Sequence, residues 1–184
     1  EEAEAHSVHA IDEHVWTAPE NASAIVGAIR DVLMEEDPSN AGIYEENAAA
    51  YREQLDELDQ EFRGVVGSAG RKLLIFGDRF PFRYFADAYG IDYYAAFPGC
   101  ASDTEPSAAT MAFLINKVKE EQVPAVLKME LSNENIANAI AEASGTEVKT
   151  FYSCHNLTAE EFENGETYLS MMQKNVETLK EVLN

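Results

Sequence analysis

Basic residues are scarce in this sequence. Lys and Arg number 13 against 34 Asp and Glu, a formal net charge of −21, which removes the basic face that nucleic-acid binding requires. The acidic balance suits a cation-binding or secreted protein, and a well-solvated acidic surface accounts for it equally. Only two cysteines occur, too few to define a disulfide framework by count. In a reducing compartment they would be buried thiols; outside the cell they could pair. No run of eighteen apolar residues exists, so no segment reads as a membrane-spanning helix. Internal repeats and low-complexity tracts are also missing. Several enzyme signatures are absent. GDRFPF, after the first predicted strand, lacks the glycines and the Lys-Ser/Thr of a phosphate loop. No Gly-x-Ser-x-Gly elbow is present. Cys154 and His155 are neighbours in sequence, which is weak support for a thiol nucleophile and its base.

What is present reads as an ordinary apolar fraction spread over 184 residues, enough for one compact domain with or without an appendage. The opening EEAEAHSVHA resembles the middle of a linker, and the expectation is that the chain is a piece of something longer. Residues 1–13 read as a flexible acidic arm carrying His6 and His9. From Asn21 onward, Ile25, Ile29, Val32 and Leu33 fall on one face of a helix that ends before Asp37-Pro38. A longer helix is predicted within 38–67, with Tyr44, Ala48, Tyr51, Leu55, Leu58, Phe62 and Val65 stepping by three, four and seven. Its length suits a strut.

The character then changes. KLLIFG (72–77), IDYYAAF (91–97), AVLKME (125–130) and EVKTFYS (147–153) read as short buried strands. Helices are predicted between them at 81–90, 107–121 and 133–143, with Ser132 as an N-cap. A last helix starts from a Thr158/Glu161 capping box and runs to Leu183. This alternation predicts an α/β fold, a four-stranded parallel sheet flanked by helices and preceded by a long connecting helix.

Ligands of open α/β sheets bind beyond the carboxyl ends of the strands. Here those ends carry Asp78, Glu130 and His155, all candidate metal ligands. Each also has a plain structural reading: Asp78 as a helix cap, Glu130 as a partner of Lys128 or of capping amides, His155 as a loop residue. Their convergence on one edge favours a site. His14, between Asp12, Glu13 and the single tryptophan Trp16, is the fourth candidate, because imidazole ligates divalent cations and flanking carboxylates attract them. A surface histidine at a capped helix start is the alternative.

The stretches DEHVWTAPENA, DPSNAGIYEENAAAYREQLDELD, FGDRFPFRYFADAYGI, TEPSAATMAFLINKVKEEQV and NGETYLSMMQKNVETLKEVL, in that order, resemble the C-terminal part of the zinc/manganese solute-binding proteins. These are extracytoplasmic receptors of metal-importing ABC transporters, also called adhesin lipoproteins. The resemblance implies two α/β lobes joined by one long rigid helix, with Zn²⁺ or Mn²⁺ held between them. Asp12-Glu13-His14-Val15-Trp16 matches the family's Asp-Pro-His-x-Trp motif, so His14 inherits a ligand role. Arg79 stands at the position nearest the family's third ligand, and Asp78, one place earlier, is the replacement. The family's last ligand, an Asp, has no match; His155 is the candidate there. The N-terminal lobe and its first histidine ligand are missing, leaving 14–36 as a remnant, 38–67 as the connecting helix and 71–184 as the C-terminal lobe.

From this resemblance follow binding and delivery of Zn²⁺, with Mn²⁺ second, and no catalysis. It also implies an ABC permease as partner and an extracytoplasmic location at the cell surface or in the periplasm, with a lipid anchor on the precursor. The orphaned apolar face of the first helix implies a homodimer. A Cys100–Cys154 disulfide is expected, both lying on loops at one sheet edge in an oxidising setting, with Cys154 as a thiolate ligand the competing reading. Two rivals from other classes are a metal-dependent hydrolase using the same His/Asp/Glu set and a metal-free interaction module.

Overall fold

A computed structural model describes residues 12–97 and 105–184. His6, His9 and Cys100 lie outside the described residues. So do most of the predicted acidic arm and the expected Cys100–Cys154 bridge.

The chain enters through a 3-10 turn, Val15–Thr17, and Pro19 then opens α1, Pro19–Glu36. Proline is suited to a first helical turn, where its missing N–H has no partner to lose, and the helix that Pro19 and Asn21 are expected to open starts at Pro19. A second 3-10 turn, Pro38–Asn40, leads into α2, Ala41–Ser68. Asp37 organises this reversal. Its carboxylate accepts hydrogen bonds from Ser39 Oγ at 2.6 Å, Asn40 Nδ2 at 2.7 Å and the Tyr44 hydroxyl at 2.9 Å. These three donors draw the acid down to about 2. The two helices run antiparallel, tied by Arg30–Glu45 at 3.4 Å, Arg52 Nε to Ser23 Oγ at 3.0 Å and Arg63–Glu20 at 3.5 Å.

α2 has 28 residues, roughly 40 Å at ~1.5 Å per residue. Its buried positions beyond Ala48 are Leu55, Leu58, Phe62, Val65 and Val66, all in the C-terminal half. That half packs on the sheet lobe, and α1 runs alongside α2 from Glu20 beside Arg63 to Arg30 beside Glu45. In α1 burial is confined to the start, at Pro19, Ala22 and Ser23. Ile29, Val32 and Leu33 are exposed, as is Ile43 on α2.

The lobe alternates β1 Leu73–Phe76, α3 Arg83–Tyr89, β2 Asp92–Ala95, α4 Ala108–Glu120, β3 Ala125–Lys128, α5 Asn135–Ser144 and β4 Glu147–Thr150. The four strands form one parallel sheet in the order β2-β1-β3-β4. β1 and β3 are central and almost wholly apolar, as strands covered on both faces require. Gly77 ends β1 where α5 passes so closely that a Cβ would lie 2.4 Å from the Ala137 Cα. Only glycine fits that crossing. Phe76, Phe82, Phe85 and Phe151 meet edge-on or tilted at the carboxyl side of the sheet, and Phe62 brings α2 into the cluster, 4.9 Å from Phe85.

Two predicted details differ. The last helix is two, α6 Ala159–Glu163 and α7 Tyr168–Val182. The Thr158/Glu161 capping box does start α6, but Gly165 turns left-handed (φ 75°) and Thr167 caps a fresh start. Ser132 is not a cap; its hydroxyl donates to the Met129 carbonyl, and Leu131 takes the left-handed turn instead (φ 57°).

Candidate metal centre

His14 is brought to the sheet's carboxyl edge by the 3-10 turn that precedes α1. The turn is built from side chains that bond to its own backbone. Asp12 Oδ1 accepts from the His14 main-chain N–H at 2.9 Å and lies 2.8 Å from His14 Nδ1. A carboxylate only accepts, so Nδ1 carries a proton, and in the neutral ring the lone pair that could ligate a metal is on Nε2. Thr17 closes the turn by donating to the His14 carbonyl at 2.8 Å. The residue is 4% exposed.

Three contacts pin this turn to the lobe. The Tyr84 hydroxyl on α3 donates to the Asp12 carbonyl, and the Tyr168 hydroxyl on α7 to the Trp16 carbonyl. Trp16 Nε1 donates to the Ser153 carbonyl at 3.0 Å. The loop after β4 thus meets the turn before α1, and three rings converge. His14 and His155 have centroids 5.5 Å apart, with Trp16 5.4 Å from His14 and 5.6 Å from His155, all edge-to-face. Two imidazoles on one tetrahedral zinc, at Zn–N of about 2.0–2.1 Å, have centroids about 5 Å apart. The observed pair is close to that spacing. His155 is exposed, so the pair opens on its side.

The two carboxylates are placed differently. Asp78 is buried after β1; its Oδ1 accepts from Arg79 N at 2.8 Å and its Oδ2 from Met129 N at 2.9 Å, tying the ends of β1 and β3 together. Glu130 accepts from Ser153 N at 2.7 Å, Ser153 Oγ at 2.6 Å and His155 N at 3.1 Å. Among the described residues, no three His, Cys, Asp or Glu side chains gather as a set that could hold a metal ion. Arg79 packs over the Phe97 ring at 5.8 Å. Cys154 is partly buried, and burial together with the nearby Glu130 charge pushes its thiol up to about 12. That is the reverse of the depression expected of a reactive free thiolate. Trp16, Tyr84, Tyr168 and Ser153 are the supporting residues that sequence reasoning did not assign. The single tryptophan beside His14 was the available signal.

A family model described as the periplasmic zinc-uptake complex component A, ZnuA, matches residues 1–182. The chain belongs to the ZnuA family. The zinc-binding lipoprotein AdcA of Streptococcus pneumoniae (strain ATCC BAA-255 / R6) is 34% identical to this ZnuA-family chain over 173 residues, which are 94% of the chain and 34% of AdcA. The high-affinity zinc uptake system protein ZnuA of Bacillus subtilis (strain 168) is 31% identical over 175 residues, 95% of the chain and 54% of that protein. The chain therefore spans about a third to a half of the length of these relatives. Among solved structures, the Zn(II)-bound ZnuA-like domain of Streptococcus pneumoniae AdcA superposes with a TM-score of 0.78 at 33% identity. The match covers 94% of this chain and 64% of that one. A mutant of the laminin-binding adhesin of Streptococcus agalactiae gives 0.84 at 25% identity, covering 97% and 66%. The α/β architecture with its four-stranded parallel sheet is thus that of the ZnuA family. No described helix is long and apolar enough to cross a membrane.

Proposed function

We propose that this chain is part of an extracytoplasmic metal receptor of an ABC importer, which captures Zn²⁺, with Mn²⁺ second, and delivers it to a membrane permease without catalysis. The observation that carries the reading is the His14–His155 pair, 5.5 Å apart, with Asp12 orienting the buried member. A carboxylate behind a ligating histidine fixes ring and tautomer and raises its basicity, as is usual in zinc sites. Imidazole pairs suit zinc, and family membership with zinc-binding relatives points the same way. In this reading His14 and His155 ligate. Asp78 and Glu130 brace the strand ends around them by accepting main-chain N–H groups, and their carboxylates keep further lone pairs facing the same edge as candidate donors. A cell-surface or periplasmic location, with a lipid anchor on the precursor, fits the lipoprotein relatives.

Among the described residues, the two histidines alone leave a tetrahedral ion short of donors. The chain is therefore expected to bind zinc more weakly than a two-lobed relative, when both are titrated against a competing chelator. Affinity equal to the relative's would mean that a full donor set is present here. A purified chain that takes up no zinc would favour the metal-free interaction module, and turnover of an ester panel would favour the hydrolase.

Self-association belongs to the same reading. Ile29 is 54% and Val32 59% exposed on α1, and an apolar stripe left in water is a contact surface. A homodimer through the α1–α2 hairpin is expected by light scattering at high concentration. Val32→Glu should shift the mass toward monomer; a monomeric unaltered chain would remove the proposal.

A further inference from the structure

We propose that Glu130 is a positioning residue for metal capture. It sets the loop that carries His155 and so presents that imidazole to His14. The inference rests on the metal-receptor reading above and names how the site is held ready.

Glu130 lies two residues beyond β3, and the loop it grips lies just beyond the neighbouring β4. All three donors it receives come from residues 153 and 155: the Ser153 N–H and hydroxyl, and the His155 N–H. Between them sits Cys154 at φ 58°, a left-handed conformation that costs a non-glycine residue free energy and persists only when its surroundings enforce it. Two main-chain N–H groups flanking such a residue turn inward together and make a concavity that suits an anion. Glu130 supplies that anion from within the fold. Its charge strengthens each of the three bonds, and together they fix the direction in which the chain leaves Ser153 toward His155.

The other side of Ser153 is held as well. Its carbonyl accepts from the Trp16 indole, and the Trp16 ring meets both imidazoles edge-on. Ser153, 3% exposed, is thus the joint between the β3 end, the β4 loop and the His14 turn. Glu130 fixes its N–H and hydroxyl, and Trp16 fixes its carbonyl. His155 itself is exposed among the described residues, and its ring meets those of His14 and Trp16. Its position relative to His14 also depends on the loop beneath it.

Glutamine cannot replace this carboxylate. It has one accepting oxygen, and its amide NH₂ would point a donor at a donor. Glu130→Gln is expected to weaken zinc binding about 10- to 100-fold, the usual effect of removing an outer support of a metal ligand.

The deciding experiment is a double-mutant cycle. Zinc affinity is measured by chelator competition for the unaltered chain, Glu130→Gln, His155→Ala and the double variant. If Glu130 acts through His155, Glu130→Gln loses affinity in the unaltered background and changes it by less than about 2-fold once His155 is alanine. Equal losses in both backgrounds would overturn the inference, since Glu130 would then bind the ion itself or act elsewhere. No loss in either background would overturn it as well. Hydrogen exchange at the His155 amide gives a readout without zinc: protection in the unaltered chain is expected to vanish in Glu130→Gln. Unchanged protection overturns the inference. If Glu130→Gln does not fold, Ser153→Ala, which removes one donor and keeps the backbone, carries the same cycle. Failure of the metal-receptor reading looks different, because His155→Ala and His14→Ala would then both bind zinc as the unaltered chain does.

Discussion

Replacing His14 by alanine is expected to lower zinc affinity by about 100-fold or more, at the top of or beyond the range seen when only an outer support of a ligand is lost. His14 is 4% exposed, held by Asp12 through Nδ1 and faced by His155 across 5.5 Å. Removing it takes one of the two imidazoles that the described residues bring to this edge and leaves the Asp12 carboxylate with the main-chain N–H. Asp12→Asn is expected to cost less, about 10-fold, because the ring stays in place while its tautomer loses a charged partner. His6→Ala and His9→Ala serve as controls and are expected to leave the high-affinity site unchanged. Isothermal titration in the presence of a competing chelator gives all four values. A His14→Ala chain that binds zinc as tightly as the parent would place the site elsewhere.

The largest effect on stability is expected at Phe151. It is fully buried and meets Phe82 at 5.0 Å, Phe85 at 5.5 Å and Phe76 at 6.1 Å. Its N–H donates to the Lys128 carbonyl at 2.8 Å, which carries the β3–β4 pairing one residue past the strand. Phe151→Ala removes a ring from a rigid aromatic cluster that cannot collapse around the void, and such substitutions cost about 3–5 kcal/mol. For a chain of this size, at about 2–4 °C per kcal/mol, the melting temperature should fall on the order of 10 °C. The zinc affinity of the folded variant should fall too, since Ser153 and His155 follow directly. Chemical denaturation measures the first effect. A loss below about 1 kcal/mol would mean that the cluster repacks and that the carboxyl end of the sheet is softer than its geometry implies.

The α/β alternation was legible because parallel strands covered on both faces must be short apolar runs, and LLIF and AVLK are little else. The long helix was legible from its 3.6-residue pattern, whose buried half became the wall behind Phe62. The break in the last helix was missed because apolar spacing carries on across Asn164-Gly165. Local preference decided it: Gly165 turns left-handed at little cost, and Thr167 and Ser170 cap a new start. Ser132 was read as a cap from its type alone, but the turn after β3 takes its hydroxyl for the Met129 carbonyl.

The strand-end rule brought Asp78, Glu130 and His155 to one edge, because in a parallel sheet all carboxyl ends face the same way. What each does there was not in the sequence. A carboxylate after a strand reads the same whether it meets a metal or a neighbouring loop's N–H groups, and only the spacing of β1, β3 and β4 gave Asp78 the amide of Met129 and Glu130 those of Ser153 and His155. The sequence alone determined the layer architecture and the residue types at the sheet's carboxyl edge, since periodicity and strand ends are local properties. Tertiary structure alone decided that Trp16 would reach a carbonyl 137 residues away and close His14 against His155. That meeting depends on how α1, α3 and α7 stack on the sheet, and no local pattern encodes a distance between parts of the chain so far apart.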